Sequence, residues 1–233
     1  MLGLAVALAS PGVKVVEGGE KPETAFAIFG AIIVATVVFL AIITLFSDFI
    51  NIVILGLEVL ALFSSSYILF YLISPYSALP GAVTAVLARI LFPQTKNLSV
   101  AIIGGVSAAL FGLSLSPIVS LLLYIIMVLY DFLSVFITGH MIKLAKGIDR
   151  TIGRGEGVAL GAGDLVIPLI FATSYFPVSP AVSVVSAVAT VLGVAFTFRA
   201  LRTFRRPLPA LPYIAAIQLP VTALSLFLTS FLL

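Results

Sequence analysis

The chain has 233 residues, 62% of them hydrophobic and 9% charged, with a formal net charge of +3. A soluble domain carries about 25% charged residues, so this composition excludes an ordinary water-soluble fold, and the small positive charge argues against a nucleic-acid partner. With no cysteine and a single histidine, His140, neither a disulfide framework nor a thiolate or two-histidine metal centre can be built, so no metal or other cofactor is expected.

Residues 1–10 are apolar but too short to span a bilayer alone, and Pro11 and the polar EGGEKPE stretch interrupt them. No basic residue precedes this run, which argues against a signal peptide. Eight apolar segments follow, at about 24–46, 49–74, 78–93, 98–114, 117–142, 158–177, 180–199 and 210–232. Continuous apolar runs indicate spanning helices, because barrel strands alternate apolar and polar residues. Counting the N-terminal piece, the expectation is an all-α polytopic membrane protein of about nine transmembrane helices. It forms one transmembrane domain over 1–233, with helices one to six and a short loop in 1–157 and helices seven to nine in 158–233.

Charge sets the expected orientation. Arg89 and Lys96 flank the loop after the fourth segment. Lys143, Lys146, Arg150 and Arg154 follow the sixth, and Arg199, Arg202, Arg205 and Arg206 follow the eighth. Ten of the twelve Lys and Arg therefore lie at loops of one parity. Lys14 and Lys21, with Glu17, Glu20 and Glu23, lie on the other. The positive-inside rule makes the three basic loops cytoplasmic, the N-terminus cytoplasmic and the C-terminus extracellular.

Three acids fall inside apolar segments: Glu58, Asp131 and Asp164. An ionised carboxylate at a helix centre costs roughly 2.5–3.5 kcal/mol on insertion scales, so each raises a functional question. Asp131 lies about 11 residues before the cytoplasmic end of the sixth segment, and Asp164 about seven residues into the seventh, which starts from the same side. Two aspartates on consecutive antiparallel helices can meet there. Like charges at short range cannot both ionise, so such a pair shares a proton. The ionised member can then activate water while the protonated one polarises a carbonyl. Glu58 reads instead as a helix-interface acid, held neutral or bonded to serines such as Ser64.

Gly161 and Gly163 lead up to Asp164 and leave room for water, substrate backbone or a neighbouring helix. Pro209 and Pro212 bracket Ala210 and Leu211 at the entry to the last segment, where prolines should prevent a regular helix and leave backbone groups free at the depth of the acids. Tyr130, one residue from Asp131, should face a neighbouring helix or the substrate, since successive helical residues diverge by about 100°. His140 reads as an interfacial anchor.

In order, Tyr130-Asp131, Gly161-Ala162-Gly163-Asp164 and Pro209-Ala210-Leu211-Pro212 resemble the YD, GxGD and PAL motifs of the presenilin and signal peptide peptidase family. Those are nine-helix intramembrane aspartyl proteases with these motifs on the sixth, seventh and ninth helices. The resemblance implies that Asp131 and Asp164 are the catalytic pair. Tyr130, Gly161, Ala162, Gly163, Pro209, Ala210, Leu211 and Pro212 would shape the substrate site. It further implies a transmembrane helical peptide as substrate, the lipid bilayer as surroundings, and a chain that could act as a homo-oligomer. The LVIP after GAGD is closer to the signal peptide peptidase branch, whereas the charge-derived orientation is that of presenilins. The combination reads as a prokaryotic presenilin-like homologue. The loop at 143–157 departs from the presenilin pattern in having no hydrophobic insert. Two other readings use some of the same residues: a prepilin-peptidase-like GxGD protease, and an ion or proton-coupled transporter or channel with Glu58 as a third carboxylate.

Overall fold

A computed structural model describes residues 18–45, 50–135, 162–204 and 208–232. Among these are eight α-helices: α1 (Glu23–Leu45), α2 (Ile50–Ile73), α3 (Ala78–Leu91), α4 (Lys96–Ser114), α5 (Pro117–Leu133), α6 (Ala162–Ser174), α7 (Pro180–Phe204) and α8 (Ala210–Leu232). They correspond to the second through ninth expected segments. The first segment, His140, Gly161 and the 143–157 loop lie outside the described residues. The chain is an all-helical integral membrane protein. Among the described residues, four helices are long and apolar enough to cross a bilayer by themselves, and four are shorter apolar helices that include both aspartate-bearing ones.

Proline and serine set many of the ends. Ser116 caps α5 by accepting from the Val119 amide at 3.4 Å, with Pro117 at the first helical position, where its missing N–H costs nothing. Ser179 and Pro180 repeat this at α7, through the Val182 amide at 3.4 Å. Two helices end earlier than their apolar runs suggest. The backbone of Phe92 leaves the helical region ahead of Pro93, and α6 stops at Ser174, shortly before Pro177. Pro93 disfavours helical backbone at Phe92, and Pro177 has no N–H for the Thr173 carbonyl, which accepts the Phe176 amide at 3.0 Å instead. At the other extreme, α7 continues to Phe204, past the expected limit at 199.

Small residues and hydroxyls hold the helices together, as expected where lipid is as apolar as leucine. Gly104, Ala108 and Gly112 line one face of α4 against α6. A Cβ at Gly112 would overlap the Thr173 side chain, whose Oγ1 donates to the Ala108 carbonyl at 2.9 Å. Gly193 lets α7 approach α8 so closely that a Cβ there would lie 2.9 Å from the Ile214 Cα. The Ser120 and Ser174 hydroxyls join α5 to α6 at 2.6 Å. Ahead of α1, the turn at Gly18 (φ +71°) presents the Gly19 carbonyl to the Ser116 amide at 2.9 Å. Large apolar side chains such as Val34, Leu60, Val191 and Phe231 remain exposed, forming the surface a bilayer covers.

The structure corrects the reading of Glu58. It is not bonded to Ser64, whose hydroxyl donates to the Leu60 carbonyl at 2.8 Å. Instead Arg89, in the last turn of α3, donates to both Glu58 oxygens, through Nε at 2.6 Å and Nη2 at 3.0 Å. The paired side chains are only 12% and 16% exposed. A guanidinium placed across the α2–α3 hairpin compensates the carboxylate that α2 carries into the apolar layer.

Candidate active site

Asp131 lies near the end of α5 and is half-buried. Its Oδ2 accepts the Leu211 amide at 3.1 Å, and the Ala210 amide also hydrogen-bonds to the carboxyl. The reason is local to α8. The first N–H groups of a helix have no partner within it, and they carry the positive end of the helix dipole. Asp131 thus serves as an N-cap supplied by a different helix. This differs from the sequence expectation in two respects. The prolines do not prevent a regular helix, which begins at Ala210 with Pro212 in its first turn, and the Leu211 amide is engaged by Asp131. Pro209, Ala210 and Leu211 are buried and Pro212 is half-buried.

Asp164 occupies the first turn of α6 and is half-buried. Helix α6 packs directly on α5, and α8 touches both. The register follows from the contacts further along these helices. The Tyr124 ring on α5 meets the Phe171 ring on α6 with centroids 5.4 Å apart. Asp131 lies seven residues after Tyr124, and Asp164 seven residues before Phe171. Because the helices are antiparallel, both steps run in the same direction, about two turns or roughly 10 Å in each helix. The Ser120–Ser174 contact gives the same result, with the aspartates roughly 16 Å and 15 Å from it along their helices. The two carboxylates therefore lie at matched height on adjoining helices.

Around them, Gly163 is exposed, and a Cβ there would meet nothing within 4 Å among the described residues. No described residue packs against this glycine, so among the described residues a space is left beside Asp164. Ala162 begins α6 as described. Tyr130 turns to a neighbouring helix, its ring edge-on to Phe29 of α1 with centroids 5.8 Å apart. Sequence reasoning missed Phe29, which carries no polar signal, and missed that the backbone amides of the PAL-like stretch meet Asp131 rather than stay free. Among the described residues, no group of three or more His, Cys, Asp or Glu could hold a metal ion.

Neither a protein-family model nor a curated protein matches the chain. Solved structures do. A presenilin-family intramembrane aspartate protease in space group P2 matches with a TM-score of 0.73 and 23% identity, over 97% of this chain and 93% of that one. One in space group C222 matches with a TM-score of 0.67 and 20% identity, over 96% and 90% of the two chains. The chain has the fold of the presenilin-family intramembrane aspartate proteases.

Proposed function

We propose that the chain is an intramembrane aspartic endopeptidase that hydrolyses peptide bonds in transmembrane segments. The observation that carries this reading is the matched height of Asp131 and Asp164 on adjoining antiparallel helices, on a fold shared with aspartate proteases. In the proposed reaction the pair shares one proton. The ionised carboxylate takes a proton from a water held between them, and the protonated one donates to the scissile carbonyl oxygen as the tetrahedral intermediate forms. Proton return to the leaving amine completes the cleavage. The Leu211 amide keeps Asp131 in a fixed rotamer, and the open space at Gly163 admits an extended segment beside Asp164.

The transporter reading loses support, because the third carboxylate it relied on, Glu58, is committed to Arg89. Purified protein should cleave a transmembrane peptide in detergent and lose that activity on Asp164→Ala. Cleavage surviving the substitution, or ion flux into liposomes that persists without it, would overturn the reading. For orientation we propose the N-terminus in the cytoplasm and the C-terminus outside. A tag after Leu233 should be reached by an impermeant label from outside, and one near Arg150 should not. The reverse pattern would refute the charge argument.

A further inference from the structure

Gln218 is fully buried in the apolar interior of α8. Its Nε2 donates to the Pro168 carbonyl on α6 at 2.9 Å and to the Ser186 hydroxyl on α7 at 3.0 Å. Only the amide nitrogen can face a carbonyl, so chemistry fixes which way the side chain is turned. Its Oε1 is buried without a hydrogen-bond partner among the described residues. Holding a buried acceptor unpaired has a cost, and a leucine would avoid it, so this amide calls for an explanation other than helix association.

Its position supplies one. Pro168 lies one turn beyond Asp164 and has no N–H to donate to the Asp164 carbonyl, as a residue there ordinarily would. The direction of the first turn of α6 thus depends on what holds the helix at the proline: Val166 packs on Gly104 of α4, and Gln218 supplies the polar anchor, at the Pro168 carbonyl. Seven residues before Gln218, two turns away on the same face of α8, the Leu211 amide holds Asp131. One helix therefore grips both aspartate-bearing helices. We propose that Gln218 is a positioning residue which, with the Leu211 amide, makes α8 the template setting the separation of Asp131 and Asp164. The inference rests on the aspartic-protease reading for its kinetic consequence, though not for its geometric one.

Gln218→Met removes the donor at nearly constant volume. Cleavage of a transmembrane peptide by this variant should show kcat lowered by about tenfold to a hundredfold, the scale of a misplacement near 1 Å. KM should stay within about twofold, because substrate binding is not what the amide controls. Gln218→Glu, whose neutral carboxyl restores one donor to Pro168, should recover most of the loss, which a role of side-chain volume alone does not predict. Should Gln218→Met fail to fold, Gln218→Asn retains an amide but withdraws it by about 1.5 Å, and the same fall in kcat is expected. The cysteine-free chain permits an activity-independent measurement. With Asp131→Cys and Asp164→Cys together, oxidative cross-linking should slow on Gln218→Met. An unchanged kcat in the folded variant, or an unchanged cross-linking rate, overturns the proposal. If the unsubstituted protein cleaves nothing, the protease reading fails while the cross-linking rate still judges Gln218.

Discussion

The hydrogen bond from Leu211 to Asp131 can be removed without touching either of the two aspartates proposed as catalytic, because the donor is a backbone amide. Leu211→Pro deletes it, and proline is tolerated in a first helical turn. The side chain changes too: Leu211 is only 2% exposed, and truncating a buried leucine costs about 2–5 kcal/mol of stability. Leu211→Ala provides the control, since it loses a comparable side chain and keeps the N–H. A hydrogen bond to a charged group contributes about 1.5–3 kcal/mol. If all of it serves to hold Asp131 for reaction, kcat should fall roughly 10- to 150-fold in Leu211→Pro relative to Leu211→Ala, at 1.36 kcal/mol per decade. The assay is cleavage of a transmembrane peptide in detergent, with rates normalised to the folded fraction from size-exclusion chromatography. Equal kcat in the two variants would show that the 3.1 Å contact has no part in catalysis.

Asp131→Asn and Asp164→Asn should each reduce hydrolysis to near background with the double variant no worse, since a pair sharing one proton acts as a unit. The pH–rate profile should be bell-shaped, because loss of the shared proton at high pH and protonation of both groups at low pH each remove an essential form; a flat profile would contradict that mechanism. Arg89→Ala should lower stability by about 3–5 kcal/mol by leaving Glu58 without its counter-charge. Glu58→Gln combined with Arg89→Gln should cost less than the separate losses together, and strictly additive thermal unfolding shifts would refute the coupling. Gly112→Ala should destabilise by about 1–3 kcal/mol through overlap with Thr173, whereas Gly163→Ala should fold as the parent does and lower cleavage only. Full activity in Gly163→Ala would remove the substrate-access role of that glycine.

Composition and run length alone determined the class of the protein and the order of its helices, because the bilayer demands long apolar stretches whose backbone bonds are satisfied internally. Most helix ends were legible within a few residues, since proline and serine act on their immediate neighbours. The matched height of Asp131 and Asp164 was also legible, as the heights of residues on consecutive antiparallel helices follow from counting. What side chains do across helices was not. Arg89 lies 31 residues from Glu58, Leu211 80 from Asp131 and Gln218 50 from Pro168. No local pattern links such partners. Arg89 read as a loop charge because its residue type fits the topology rule, and only the α2–α3 hairpin brings Glu58 within reach. The PAL-like stretch read as irregular backbone with free polar groups because prolines break helices in isolation; in the folded chain the same residues start one, and the amides it leaves unpaired meet the Asp131 carboxylate. Gln218, one amide in an apolar helix, gave no sign of its partner in the sequence. Its role arises where α6, α7 and α8 converge, and that convergence is a property of packing, in which small residues such as Gly112 and Gly193 decide how closely the helices approach.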